Sequence, residues 1–242
     1  MRAAIVTGAS RGLGDALVTE LIAHDWHVIG IARSPSARAV DDRYRFVRCD
    51  LARVAELSVA LRPTFDAIAA TQPSAVCLIN NAATIDGVGV LGALEAEDIV
   101  TSIDVNLIAP TMLANLFCTV FADDRIERRV VNVSSGAADS TLAGESLYCI
   151  AKAGLEMLTR SLAAEHGSER FRAITVRPGI IDTAMQTFAR SQSKQKLPSV
   201  DLFKDFYTSG SLVPPDVVAR KIVARLVIAS VDQGRTYRYA EL

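Results

Sequence analysis

Several features that mark membrane, secreted and nucleic-acid-binding proteins are missing from this sequence. No apolar run approaches the ~20 residues needed to cross a bilayer, and the first residues show no signal-peptide pattern. The formal net charge is -1, so we expect no general attraction to nucleic acid or to an anionic membrane surface. These absences predict a soluble, cytoplasmic chain with neither a nucleic-acid nor a membrane partner.

Cysteine is also scarce, and its spacing gives no sign of a metal site or a disulfide framework. The 4 cysteines are Cys49, Cys77, Cys118 and Cys149, and none belongs to a CxxC pair. We interpret them as reduced core residues and expect no metal. Internal repeats, linkers and low-complexity blocks are missing as well. A length of 242 residues allows one large or two small domains, and this continuity predicts a single domain over 1–242.

What the sequence does contain is a regular alternation of short β-rich runs and longer helical patterns. The predicted strands are 3–7, 27–32, 44–49, 75–80, 129–134 and 173–178, and the predicted helices lie near 12–24, 53–70, 96–122, 147–166 and 214–229. Most of these strands are continuously apolar, which is typical of strands buried on both faces. The alternation predicts an α/β fold, a Rossmann-type doubly wound parallel sheet with helices on both faces.

One segment interrupts the alternation. Residues 184–213 are polar and contain Ser, Lys and Gln, with Phe188, Phe203, Phe206 and Tyr207 interspersed. The segment is either a surface excursion or a lid over a substrate site. Long insertions in compact α/β domains are often functional, so we favour the lid.

Glycine is concentrated where the first strand turns into the first helix, in "TGASRGLG" (7–14). At this turn Gly8 allows a tight bend, Gly12 lets a phosphate approach the backbone, and Gly14 lets the helix pack closely on the sheet. The helix N-terminus supplies free N–H groups and the positive end of its dipole. The spacing is GxxxGxG rather than GxGxxG. It predicts a dinucleotide site, and a glycine-rich turn without a ligand is the alternative.

Polar residues follow other strands at the same predicted edge of the sheet. Asp50 follows the third strand, where it can accept a hydrogen bond from an adenine amino group. "NNAA" (80–83) closes the fourth strand, where small residues let a cofactor lie against the backbone. Each could be an ordinary turn residue. Because the carboxyl ends of parallel strands meet at one crevice, together they favour the cofactor site.

The end of the second strand predicts which cofactor binds. Chains of this architecture that bind NAD place Asp or Glu there for the ribose hydroxyls. Here the strand is followed by Arg33 and Ser34, and Arg11 lies in the glycine-rich turn. Two guanidinium groups without a carboxylate favour the 2′-phosphate of NADP(H), although either could be a solvated loop charge.

A candidate chemical centre lies in "LYCIAKAG", which places Tyr148 and Lys152 four residues apart on one helix face. Lys152 is the only lysine before residue 194, and Ser135 ends a strand at the same sheet edge. A tyrosine whose pKa is lowered by a nearby ammonium can exchange a proton with a carbonyl oxygen while hydride adds to the carbon, and a serine can hold that oxygen. The alternative is a strand-end cap beside a half-buried helix pair.

With these motifs, the sequence resembles the short-chain dehydrogenase/reductase family over nearly its whole length. The resemblance is carried by TGASRGLG, Asp50, NNAA, "VNL" around residue 106, Ser135, YCIAK and "RPGIIDT" (177–183). It implies that the catalytic residues are Asn106, Ser135, Tyr148 and Lys152, with Asn106 holding a water that links the lysine to a proton relay. It also implies a homodimer or homotetramer. The family usually has glycine where Ala83 stands here.

The cofactor-binding residues follow from the motifs and the resemblance together. They are Gly8, Ser10, Arg11, Gly12, Leu13, Gly14, Arg33, Asp50, Leu51, Asn80, Ala82, Tyr148, Lys152, Pro178, Gly179, Ile181 and Thr183. Within this set the resemblance assigns Ile181 and Thr183 to the nicotinamide.

Three stretches resemble the sepiapterin reductase and benzil reductase branch of the family: "LYCIAKAGLEML", "PGIIDTAMQTFAR" and "GSLVPPDVVARKI". Sepiapterin reductases carry an aspartate near the C-terminus that anchors the pterin, and the tail here offers Arg238 instead. We therefore predict hydride transfer from NADPH to the carbonyl of a small ketone or diketone, giving an alcohol.

Other functions stay open from the sequence alone. One alternative is reduction of a pterin. A second is reduction of an acyl thioester, for which Arg125, Arg128 and Arg129 could form a docking patch, although a solvated helix end is the simpler interpretation. A third is a non-catalytic NADP sensor, which the complete set of proton-transfer residues argues against.

Overall fold

The computed structural model describes residues 1–37 and 41–242. Within this part of the chain one seven-stranded sheet forms, in the order β3-β2-β1-β4-β5-β6-β7, and every pairing is parallel. The strands are β1 (Arg2–Thr7), β2 (Trp26–Ala32), β3 (Tyr44–Arg48), β4 (Ala75–Asn80), β5 (Glu127–Val133), β6 (Phe171–Arg177) and β7 (Thr236–Arg238). The strand order reverses beside β1, so the predicted doubly wound Rossmann-type sheet is confirmed.

Helices connect the strands. They are α1 (Gly12–Ala23), α2 (Val54–Ala70), α3 (Ala96–Ile103), α4 (Ala109–Val120), α5 (Ser146–Glu165), α6 (Ala184–Ser191), α7 (Val200–Thr208) and α8 (Pro215–Ile222). Single π-helical turns over Asp104–Ile108 and Val223–Ile228 continue α3 and α8. Short 3₁₀ turns cover Gly136–Ala138 and Tyr239–Glu241.

Two hydrophobic layers cover the sheet, one on each face. In β1, Ala4 and Val6 pack with α1 and α8, whereas Ala3 and Ile5 pack with α2 and α4. All four residues are buried. Both faces of the strand are therefore covered, and this explains why the central strands are continuously apolar instead of alternating.

The helical run Ala96–Val120 is, within the described residues, long and apolar enough by composition to cross a membrane. Its inner side is buried in the protein, where Leu113 and Phe117 pack with α2 and the sheet. Core helices of this kind meet the same criterion, so the run gives only weak support for a membrane segment.

The structure differs from the sequence prediction in four places. The helix predicted near 96–122 is interrupted by the π turn at Asp104–Ile108. The helix predicted near 214–229 ends in the π turn at Val223–Ile228. Strand β7 was not predicted, because three residues carry too little pattern to signal a strand. The segment 184–213, whose structure the sequence did not predict, forms α6 and α7.

Candidate active site

The glycine-rich turn between β1 and α1 has a shape that requires glycine. Gly8 and Gly12 have φ values of +67° and +56°, in the left-handed region. A Cβ on Gly14 would lie 2.1 Å from the carbonyl oxygen of Gly8, and a Cβ on Gly8 would lie 2.9 Å from Cα of Ala82. Helix α1 begins after Arg11 without a side-chain cap, so its first N–H groups are free to meet an anion.

Thr7 fixes the turn after β4 to the end of β1. Its hydroxyl accepts hydrogen bonds from the backbone N–H groups of Asn81 and Ala82, both at 3.0 Å. The Asn81 side chain donates in return to the Thr7 carbonyl at 2.9 Å. The sequence reasoning assigned no role to Thr7 or Asn81, although each lies within a predicted motif. Together they hold the two turns that border the crevice.

Three predicted cofactor residues direct their side chains into the interior. Asn80 donates to Oδ1 of Asn132 at 2.8 Å, within a buried network between β4 and β5. Leu13 and Leu51 belong to the two core layers. For Asn80, Leu13 and Leu51 we therefore predict that only backbone groups, and not side chains, contact the cofactor.

The predicted nucleotide-selecting residues lie at the crevice edge. Arg33 directly follows β2, and Arg11 lies in the turn after the neighbouring strand β1; both are exposed. Neither guanidinium forms an ion pair with a carboxylate of the described residues. Asp50 is exposed after β3, where its carboxylate accepts from the N–H of Ala52 at 3.1 Å. Ser10 is half-buried in the glycine-rich turn.

The "RPGIIDT" stretch reaches back to the same turn. Pro178 and Gly179 follow β6, and Gly179 has a φ of +82° beside Tyr239. The methyl group of Thr183 lies 3.3 Å from the position that a Cβ on Gly12 would take. Ile181 forms an isolated parallel bridge with Val213. The stretch therefore lies against the glycine-rich turn, where the prediction places a cofactor.

Ser135, Tyr148 and Lys152 are brought together by β5 and α5. The ammonium of Lys152 donates to the Val133 carbonyl at 2.8 Å and lies 5.4 Å from the centre of the Tyr148 ring. The hydroxyl of Ser135 is within hydrogen-bonding reach of Tyr148 and also accepts from the N–H of Ala137 at 3.2 Å. Lys152 is only 2% exposed, and this burial lowers its pKa to about 8.

The expectation that the pKa of Tyr148 is lowered toward neutral pH is wrong for this structure, because the net shift is upward. Burial raises the pKa of Tyr148 well above its usual value, and the nearby Glu145 carboxylate raises it further. The hydrogen bond with Ser135 opposes these effects only partly. The phenol is therefore protonated at neutral pH, which is the form able to give a proton to a carbonyl oxygen.

Asn106 lies in the π turn and is 1% exposed. Its amide is held on both sides by Thr84: Nδ2 donates to the Thr84 carbonyl at 2.8 Å, and Oδ1 accepts from its N–H at 2.9 Å. The Asn106 side chain is therefore engaged by the loop after β4, and its role in holding a water stays a prediction.

An ion-pair cluster that the sequence reasoning missed supports the loop carrying Ser135. Glu156 on α5 accepts from the hydroxyl of Ser134 at 2.9 Å and from Arg177 at 2.7 and 2.9 Å. Arg177, at the end of β6, also pairs with Asp139 in the same loop. The cluster thus ties α5, β6 and the loop after β5 to one another.

A small recess opens beside Tyr148. It is lined by Ile85, Asp86, Gly87, Val88, Ser102, Glu145, Leu147 and Tyr148. The recess has a cavity volume of about 10 Å³ and is partly open to solvent. Glu145 in its wall is 5% exposed, and burial raises its pKa to about 7. No local sequence pattern points to Glu145, because its burial depends on the loop after β4.

The raised pKa of Glu145 predicts a pH-dependent stability. Between pH 4.5 and about 7 the folded chain keeps a proton that the unfolded chain releases, so stability falls as pH rises. Glu145→Gln replaces the carboxyl group with an amide that does not titrate, so this pH dependence of stability should disappear. We expect the variant to match wild type at pH 5 and to be more stable at pH 8, by about 1–3 kcal/mol in urea unfolding. The exposed Glu95→Gln is the control, and an equal effect of Glu145→Gln at both pH values would contradict the prediction.

Comparison with known proteins agrees with this geometry. The family model described as short chain dehydrogenase matches residues 2–194. A benzil reductase ((S)-benzoin forming) of Bacillus cereus is 31% identical over 249 aligned positions, which cover 100% of both chains. A sepiapterin reductase of Meriones unguiculatus is 34% identical, with 78% of each chain covered. The crystal structure of the KRED1-Pglu enzyme has a TM-score of 0.82 at 25% identity, covering 98% of this chain and 100% of that one.

These relatives confirm the branch suggested by the three matching stretches. The family uses a nicotinamide cofactor, which the glycine-rich turn and the crevice at the reversal of strand order are shaped to receive. The chain belongs to the short-chain dehydrogenase/reductase family and is an oxidoreductase.

Proposed function

We propose that this protein is an NADPH-dependent carbonyl reductase acting on small ketones and diketones. The observation that carries the proposal is the arrangement of Ser135, Tyr148 and Lys152, in which the phenol of Tyr148 lies beside the serine hydroxyl and the ammonium and lines the recess. The full-length similarity to a benzil reductase supports a diketone as substrate.

The residues present fit a nicotinamide dinucleotide. The glycine-rich turn leaves backbone space that a Cβ would fill, and the first N–H groups of α1 have no side-chain cap. Arg11 and Arg33 at the predicted ribose pocket support the choice of NADPH over NADH, since a guanidinium binds a phosphate well. When bound, the cofactor supplies the hydride.

The chain's own residues supply the proton and stabilise the charge that its transfer leaves behind. Ser135 and Tyr148 donate hydrogen bonds to the substrate carbonyl oxygen, and Tyr148 transfers its proton to that oxygen as hydride adds to the carbon. The product is an alcohol, and a phenolate is left on Tyr148. The ammonium of Lys152, 5.4 Å from the ring centre, stabilises that phenolate until a proton from solvent restores the phenol.

The structure offers little support for an acyl-carrier docking patch at Arg125, Arg128 and Arg129. Arg128 is buried on β5, where it donates to the Phe121 carbonyl and pairs with Asp124. Arg129 donates to three backbone carbonyls near residues 226–229. The simpler interpretation, a solvated helix end, is also wrong for Arg128 and Arg129. Both residues lie on strand β5, and their guanidinium groups form hydrogen bonds within the protein.

The decisive experiment follows NADPH oxidation with a panel of candidate substrates. The panel contains benzil, a small aliphatic diketone, a pterin, a β-ketoacyl thioester and a sugar. We expect the diketones to give the highest kcat/KM. A preference for the pterin or the thioester would replace the proposed substrate class. The absence of turnover with every compound, combined with tight NADPH binding, would favour the sensor.

We propose that 184–213 is a substrate lid. Its helices α6 and α7 contribute Ala189, Val200 and Phe203 to a small apolar cluster, against which Tyr148 and Phe206 pack. Phe203 and Phe206 meet edge to face, with ring centres 6.3 Å apart. The lid's apolar side therefore lies against the proposed proton donor.

Replacing Phe203 and Phe206 with alanine is expected to raise KM more for bulky aromatic ketones than for small aliphatic ones, because the larger substrates lose apolar contact area. Steady-state kinetics on both classes measures the difference. The control is Phe188→Ala, an exposed aromatic on α6. If both classes suffered equally, the segment would not line the substrate site.

A further inference from the structure

The recess beside Tyr148 contains a carboxyl group that the proton-transfer mechanism does not use. Glu145 is only 5% exposed, and it lines the recess together with Tyr148. Among the residues that the structure describes, none donates a hydrogen bond to its carboxyl group and no cation pairs with it. A carboxyl group in so enclosed a position gains from a hydrogen-bond partner, and a ligand oxygen in the recess would provide one.

The surroundings of Glu145 favour its neutral form. Apart from Tyr148, the only titratable side chain lining the described recess is Asp86, which accepts a hydrogen bond from Thr84 and brings no positive charge. Burial without a cation raises the pKa of Glu145 to about 7. A neutral carboxyl can donate through its O–H as well as accept, so it can bind a carbonyl or a hydroxyl oxygen.

Position and size restrict what can reach this carboxyl. Glu145 directly precedes α5, Tyr148 lies in the first turn of that helix, and both residues line the recess. The cavity volume of the recess is about 10 Å³, which is room for one water-sized group. It can therefore receive a single oxygen of a substrate whose reacting carbonyl lies at Tyr148. Ile85, Val88 and Leu147 make the rest of its wall largely apolar.

We propose that Glu145 is a specificity-determining residue that hydrogen-bonds the second oxygen of a substrate carrying oxygens on adjacent carbons. The first oxygen lies at Ser135 and Tyr148, and the second lies at the Glu145 carboxyl. This inference rests on the proposed carbonyl reductase function and narrows its substrate class to 1,2-diketones and α-hydroxyketones.

The test compares two substrates that differ only in the second oxygen: benzil, and deoxybenzoin, which has a methylene group in place of one carbonyl. With the full chain and NADPH, Glu145→Ala should lower kcat/KM for benzil by about tenfold or more. It should change deoxybenzoin by less than about twofold. Glu145→Gln should keep most of the benzil activity, because its amide also donates and accepts. Asp86→Asn is the matched control in the same recess.

Binding measured without turnover separates failure of this inference from failure of the proposed function. Calorimetry with benzil and NADPH on Tyr148→Phe, with and without Glu145→Ala, should show weaker benzil binding in the double variant. If Glu145→Ala reduced benzil and deoxybenzoin turnover equally, Glu145 would only position α5 and the inference would be overturned. If wild type reduced neither ketone, the proposed function itself would be overturned.

Discussion

Tyr148→Phe is expected to lower kcat by about 10²–10⁴-fold, the usual contribution of a positioned general acid. The substitution removes the phenol oxygen that carries the proton and leaves the ring that packs beside Lys152. NADPH affinity should remain nearly unchanged, because the hydroxyl acts on the substrate. Single-turnover kinetics with a ketone substrate and calorimetric titration with NADPH measure the two quantities separately.

The matched control for this substitution is Tyr207→Phe, which removes a hydroxyl from an exposed tyrosine on α7. It should leave kcat close to the wild-type value. If Tyr148→Phe retained more than about a tenth of wild-type kcat, another group would have to be the acid. The assignment of Ser135 and Lys152 as its partners would then fail as well.

Arg33→Asp is expected to reverse cofactor preference. Loss of a charge-assisted contact with the 2′-phosphate should weaken NADPH binding by about tenfold to a hundredfold. The new carboxylate repels that phosphate and can accept hydrogen bonds from the ribose hydroxyls of NADH. Kd values for both cofactors, measured on wild type and variant at one ionic strength, give the change in preference.

Arg160→Asp, on the exposed side of α5, makes the same change in net charge away from the crevice. It should leave the ratio of the two Kd values unchanged. Wild type that bound NADH as tightly as NADPH would show that Arg33 and Arg11 do not select the phosphate. An unchanged ratio in Arg33→Asp would show that Arg33 does not face it.

The fold could be predicted because its determinants are local. Strands such as β1 and β4 are covered on both faces, so each is a continuous apolar run that is visible without any partner. The turn at Gly8 and Gly14 could be recognised for a similar reason, since its backbone shape excludes other residues. The side chains at strand ends then converge because parallel strands end at one edge.

The electrostatics of the site could not be predicted, because they depend on contacts between distant segments. The pKa of Tyr148 is raised by burial and by Glu145, and that burial comes partly from the apolar cluster of α6 and α7. The sequence places Lys152 near Tyr148 but reveals neither the burial of Tyr148 nor the influence of Glu145 on its pKa. In the same way, the residues around Asn80 in the sequence do not reveal that its amide donates a hydrogen bond to Asn132 on the neighbouring strand β5.

The bridge between Ile181 and Val213 has a consequence for how related enzymes can diversify. Backbone hydrogen bonds from Val213 to Ile180 at 2.8 Å and from Asp182 to Val213 at 3.0 Å join the two ends of the 184–213 segment. An insertion whose ends already meet can be exchanged for one of another length or composition without moving the flanking β6 and α8. If the proposed lid contacts the substrate, the bridge allows this segment to be replaced, and specificity to change, while the sheet and the residues around Tyr148 stay as they are.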